Sequence, residues 1–229
     1  MLSIKNLTVF YGDTIALDDI FLQLEAKKLH GFIGLNGAGK TTLLNTLYGF
    51  LEQESGEILW NERELITTDI AYLPAESYFY QYITGQEYLE LICLKNPDFD
   101  ITLWNEMFNL PLDDLIESYS SGMKKKLAVM GVMAVNRSII MLDEPFNNLD
   151  IATNHLLGTI LKKLVEQGKT VLLTSHVLES MTSLCDHIHL IENGKMLQTF
   201  DKGDFMGIES YLFKKRDTLL DKNLRKLTE

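Results

Sequence analysis

Nine residues near the start of the chain, GLNGAGKTT from Gly34 to Thr42, have the spacing of a loop built to hold phosphate. Such a loop works because glycines let successive backbone N–H groups curl around an anion where a Cβ would collide. Lys40 would bring an ammonium to the β- and γ-phosphates of a nucleotide. Thr41 would turn its hydroxyl toward Mg²⁺. Gly34, Leu35, Asn36, Gly37, Ala38, Gly39 and Thr42 would complete the cradle. The short apolar run LHGFIGL precedes the loop and the helical pattern TTLLNTLYGFL follows it, which is the context the motif needs.

Two carboxylates end the apolar run SIIMLDEP, residues 138–145. At that edge of an α/β sheet, where ligands bind, Asp143 would hold Mg²⁺ through water. Glu144 would polarise an attacking water as general base. Read alone, Asp-Glu-Pro also suits the cap of a following helix; beside a phosphate loop the chemical reading prevails. His176 closes a similar run, KTVLLTSH. A lone histidine is more often structural, but at the mouth of this sheet it reads as a γ-phosphate contact.

The stretch YSSGMKKKL, residues 119–127, looks like a helix start whose free N–H groups attract an anion. Lys124, Lys125 and Lys126 are expected on a solvated helix face that mildly favours phosphate, rather than as ligands.

These residues must be positioned by strands and helices, and the pattern supplies both. The first part alternates apolar and polar residues with strand period: LSIKNLTVF, TIALDDIFLQL, GEILWN. From about residue 77 to 137 the pattern turns helical, broken at Pro97 and Pro111. Strand and helix then alternate, which predicts an α/β core with a mostly parallel sheet, interrupted by a helical insertion. A charged helical tail is expected after about residue 204.

Bulk properties narrow the class. The 229 residues suffice for one or two domains, and 46% hydrophobic content is that of a globular chain. A net charge of −11 argues against a nucleic-acid partner, which usually meets a basic stripe. Cys93 and Cys185 are too few and too far apart for a disulfide framework, so a reducing cytosol is expected. The start MLSIKNLTVFYGD lacks the apolar core of a signal peptide, and no run of about 18 apolar residues is present to span a membrane.

The phosphate loop, YSSGM, MLDEP, NNLD and TSH occur in this order. As a set they closely resemble the ATP-binding subunit of ABC transporters, over nearly the whole chain. The resemblance implies a P-loop NTPase core with an N-terminal antiparallel β subdomain (1–76 and 138–203), a helical signature subdomain (77–137) and a C-terminal helical tail (204–229). It implies ATP and Mg²⁺ as cofactors, with Tyr11 stacked on adenine and NNLD, residues 147–150, as the D-loop. It also implies a head-to-tail pair of ATPase domains, so that Ser120 and Gly122 meet a γ-phosphate held by the second domain. That domain is either a second copy or a paralogue. A separate transmembrane permease would hold the chain peripherally on the inner face of the cell membrane. YSSGM resembles the signature of exporter subunits for drugs or antimicrobial peptides. The alternative is a cytosolic member of the family with no transport role, for example in metal–sulfur cluster assembly.

The chain departs from that family where a glutamine usually follows the strand IAYLP. Here Ala75 stands, followed by Glu76. An alanine methyl cannot ligate a metal, so either Glu76 supplies an oxygen to Mg²⁺ or it is a surface carboxylate. The aromatic stretch YFYQY, residues 78–82, is expected either to anchor a helix of the membrane partner or to pack the helical subdomain on the core.

Overall fold

The computed structural model describes residues 1–208. The expected tail helix lies for the most part outside the described residues. Two sheets organise the chain. In the first, β1 (Leu2–Tyr11), β2 (Thr14–Leu24), β4 (Ser55–Trp60) and the short β5 (Arg63–Glu64) are antiparallel in the order β2-β1-β4-β5. The second comprises β3 (Leu29–Ile33), β6 (Ile70–Leu73), β7 (Ile139–Leu142), β8 (Thr170–Ser175), β9 (His187–Glu192) and β10 (Lys195–Asp201). Its order is β10-β9-β3-β8-β7-β6, and all pairs are parallel except β9 with β10.

Every residue of β3, β7 and β8 is buried, as a parallel sheet covered on both faces requires. The strand period of two then splits the core. Ile140, Leu142, Val171 and Leu173 face one cluster, while Ile139, Met141 and Leu172 face the other. The first cluster packs on α4 (Ser121–Val135), α5 (Ile151–Glu166) and α6 (Leu178–Leu184). The second packs on α1 (Lys40–Tyr48) and the inner face of the antiparallel sheet.

Between β6 and β7 the chain runs through α2 (Gly85–Cys93), α3 (Ile101–Phe108) and α4. Local chemistry sets where these helices start. Thr84 and Glu87 form a reciprocal capping box on α2, Asp100 caps α3, and Ser120 caps α4 by accepting the Met123 N–H at 3.2 Å. α4 is buried from Leu127 through Ala134, so it is a core helix rather than an amphipathic surface one. That burial corrects the expectation for the lysine run. Lys125 is 7% exposed and not part of a solvated face, because a helix wrapped by neighbours turns one of three consecutive residues inward.

A chain of buried histidines crosses β3 and β9. His30 Nε2 lies 2.9 Å from the Glu25 carbonyl, which can only accept, so this nitrogen donates. His30 Nδ1 therefore accepts, from His189 Nε2 at 3.1 Å; His189 Nδ1 accepts in turn from the Thr199 hydroxyl at 2.8 Å. His187 stacks on His30 with ring centroids 5.1 Å apart and bonds Asp201 through Nδ1. Protonating His30 would break this chain, because its Nδ1 would turn from acceptor to donor and meet the His189 Nε2–H head on.

Candidate functional site

β3, β7 and β8 run parallel and side by side, so their C-terminal ends open on one edge. The phosphate loop leaves β3, Asp143 and Glu144 leave β7, and His176 follows β8. A cavity of about 580 Å³ opens there. It is lined by Tyr11, Thr14, Ile15 and Ala16, by Asn36 through Thr42, and by Glu144, Asn193 and Gly194. That volume is within the range of small-molecule sites.

The loop's shape depends on its glycines. A Cβ on Gly34 would run into the Ile191 carbonyl oxygen, so the loop passes closer to β9 than any side chain allows. Gly39, which precedes α1, has φ of 110°, a left-handed conformation that L side chains rarely adopt. Lys40 is 7% exposed and folds along the loop, donating to the Gly34 carbonyl at 2.8 Å and the Leu35 carbonyl at 3.2 Å. Burial pushes its pKa down, while the charges of Glu144 and Asp143 oppose that shift. Gly34 and Leu35 do not line the cavity themselves, and the Leu35 side chain is exposed.

The carboxylates differ in exposure and in partners. Asp143 is fully buried; its Oδ1 accepts the Thr174 hydroxyl at 2.5 Å and its Oδ2 has no hydrogen-bond partner. Glu144 sits at φ of 47°, uncommon for a residue with a side chain. Its backbone N–H is held by Thr174 Oγ1 at 2.9 Å, and its Oε2 lies 3.0 Å from His176 Nδ1. A carboxylate only accepts, so His176 Nδ1 carries the hydrogen. An orphaned, buried carboxylate oxygen, its twin already held by the Thr174 hydroxyl, is a fit for a hard cation such as Mg²⁺.

Glu76 is exposed and is not among the cavity-lining residues. Ser120 and Gly122 do not line this cavity either. A Cβ on Gly122 would stand 2.8 Å from the Asn148 carbonyl oxygen, so the start of α4 leans on the loop that follows Glu144.

Sequence reasoning passed over two contributors. Thr174 stands in the TSH run, yet only its histidine carried a chemical signal. Asn193 and Gly194 form the turn between β9 and β10, and the Gly194 N–H donates to the Ala38 carbonyl at 2.9 Å, propping the phosphate loop. Asn-Gly between two strands is a hairpin signal that could have marked this turn.

A family model described as "ABC transporter" matches residues 17–147. The ABC transporter ATP-binding protein YtrB of Bacillus subtilis is 29% identical over 210 residues, covering 88% of this chain and 72% of that protein. The manganese transport system ATP-binding protein MntB of Listeria innocua is 31% identical over 222 residues, covering 87% and 92%. The linearmycin resistance ATP-binding protein LnrL of Bacillus subtilis is 27% identical over 231 residues, covering 89% and 70%. Among solved structures, an ATP-binding subunit of an ABC transporter superposes with TM-score 0.83 at 24% identity, covering 100% of both chains. The dimeric post-hydrolysis state of the ATP-binding cassette MJ0796, bound to ADP and Pi, superposes with TM-score 0.80 at 22% identity, covering 88% and 99%.

Proposed function

The chain belongs to the ABC transporter family as one of its ATP-binding ATPases, and from that premise we propose that it powers a membrane exporter by closing on ATP with a second ATPase domain. One observation carries the hydrolytic part of this reading: a single carboxylate, Glu144, lines the same cavity as Lys40 and Thr41, with its oxygen held by His176.

Each residue then has a task. Backbone N–H groups of the phosphate loop bind the phosphates, with Lys40 as their counter-charge. Tyr11, half exposed on the cavity wall, offers its ring to the adenine. Glu144 takes the proton of the attacking water, and His176 fixes the carboxylate through Nδ1, so that its second nitrogen would be the one to meet the γ-phosphate. Thr41 and Asp143 would hold Mg²⁺, which when bound neutralises phosphate charge. The exposed position of Glu76 lends no support to a metal role for it in this arrangement.

Ser120 and Gly122, away from this chain's own cavity, are proposed to close on the nucleotide of the second domain. Tyr78, Tyr80 and Tyr82 are strongly exposed, whereas Phe79 packs on Tyr88 at 5.1 Å. This division favours the three tyrosines as a seat for a separate permease, which would hold the chain at the inner face of the membrane. No helix among the described residues is long and apolar enough to cross a membrane itself. The YSSGM signature supports export, as does similarity to a relative named for linearmycin resistance.

Co-expression with candidate permeases tests the assignment. The chain is expected in the membrane fraction only with its permease, and cargo should leave loaded vesicles or cells only when Lys40 is intact. ATP turnover without any permease-dependent membrane association would instead favour a soluble role.

A further inference from the structure

The middle lysine of the run after the signature serines is buried, and its surroundings are those of the hydrolytic site. Lys125 lies one turn into α4, with Nζ 3.4 Å from the Ala75 carbonyl oxygen and 3.5 Å from the Asp143 carbonyl oxygen. Among the described residues it forms no ion pair, whereas its neighbour Lys126 lies 3.5 Å from Asp150. Burial pushes the Lys125 pKa down, and the nearby charges of Asp143 and Glu144 push it back up. Lys40 shows the same opposition from the phosphate loop. The charges of both carboxylates thus act on two buried ammonium groups, one opening α1 and one on the signature helix.

A buried ammonium is costly unless its surroundings reward it. Here the reward is a three-way junction. Ala75 lies in the segment that leaves β6 for the helical region, Asp143 begins the segment that leaves β7, and Lys125 belongs to the helix capped by Ser120. The alanine side chain can join none of these to another, but its backbone carbonyl can accept from Lys125. Both contacts are long, so one flexible ammonium is shared between two acceptors instead of being locked to either.

We propose that Lys125 is a positioning residue for ATP hydrolysis: from the signature helix it reaches both the Ala75 and Asp143 carbonyls and so biases where the signature loop sits relative to the hydrolytic carboxylates. The inference rests on the ATPase reading given above. It also accounts for Ala75, because the link is made through the backbone at that position and needs no particular side chain there.

Three variants test it in the assembled ATPase. Lys125→Met keeps the side chain's length and removes its charge and donors; Lys125→Arg keeps both; Leu127→Ala weakens the same helix at a fully buried apolar position. Lys125→Met is expected to bind a fluorescent ATP analogue within about threefold of the parent. Its kcat should fall about 10–100-fold, the usual cost of removing an outer partner of a reactive group. Lys125→Arg should restore most of that loss. Leu127→Ala should lower the melting temperature yet keep kcat within about threefold, measured well below melting. Independently of activity, backbone amides of residues 120–124 and 75–77 should exchange faster in Lys125→Met and recover in Lys125→Arg. If Lys125→Met does not fold, Lys125→Leu, which likewise carries neither charge nor donor, is measured in its place against the same expectations. A kcat within about twofold of the parent, with Glu144→Gln inactive beside it, would leave the ATPase reading intact and overturn this role for Lys125. Equal kcat losses in Leu127→Ala and Lys125→Met would also overturn it, as ordinary destabilisation.

Discussion

Glu144 Oε2 and His176 Nδ1 stand 3.0 Å apart, joining the segments just past two adjacent parallel strands. The pair gives the carboxylate a fixed aim. Glu144→Gln keeps the shape and can still accept from His176, but it cannot take a proton. Hydrolysis should fall roughly 10²–10⁴-fold while ATP binding stays near the parent value. A steady-state ATPase assay paired with nucleotide binding checks this, and the variant should accumulate as an ATP-bound dimer by size exclusion. Unchanged turnover would remove Glu144 from the role of base.

Thr174 holds two groups with one hydroxyl, donating to Asp143 Oδ1 and accepting from the Glu144 N–H. Thr174→Val would strip the buried Asp143 oxygen and the Glu144 amide of their partner. Leaving such groups unsatisfied costs on the order of 2 kcal/mol. The denaturation midpoint should drop accordingly, and the Mg²⁺ requirement of hydrolysis should rise as Asp143 loses its orientation. Thr174→Ser should keep both properties. A valine variant as stable and as active as the parent would show that the bridge has no part in either.

The histidine chain makes stability depend on pH. Burial pushes His30 down to about 4 and His189 to about 3, from an ordinary value of 6.5, and neighbouring His187 adds to both shifts. The unfolded chain therefore binds more protons than the folded one below pH 6.5. Their contribution to stability is complete above that value and declines as pH falls toward 4. Melting temperature should decrease across this window. The double variant His30→Leu/His189→Leu should flatten the decrease. Asp150, held down to about 2 chiefly by hydrogen bonds from Thr153, titrates too low to produce the same trend. An equally steep decrease in the double variant would assign it elsewhere.

Ser120 can be tested as a group acting on a neighbour's nucleotide. In a homodimer, Lys40→Ala chains mixed with Ser120→Arg chains place both lesions in one composite site and leave the other intact. Hydrolysis should recover in part on mixing, growing with the mixed-dimer fraction. A doubly altered chain mixed with parent leaves one lesion in each site and should recover nothing. Equal, near-zero activity in both mixtures, with exchange verified, would argue against action in trans.

Much of the site could be read from the chain because its signals are local. A glycine-rich loop between an apolar strand and a helix, or two carboxylates ending a buried strand, carries its context within a few residues. Lys125 and the histidines could not be read that way. Three consecutive lysines look like solvent-facing charge until α4 is known to be wrapped by the core. His30 and His189 are 159 residues apart and meet only because β9 pairs with β3. Thr174 had no signal of its own, since its value lies in facing two groups just past the end of the neighbouring strand. The Ala75 departure was visible in sequence; that its carbonyl meets a lysine from the signature helix was not.

Gly122 leans against the Asn148 carbonyl, so the residue that would face a partner's phosphate is also a bearing surface for its own chain's loop. Any side chain there would disturb both at once. In a paired assembly, one altered copy would injure the neighbour's site from outside and its own from within. Such an allele should behave as dominant over the normal copy when both are expressed in one cell. A Lys40 allele, confined to a single site per pair, should be the milder of the two.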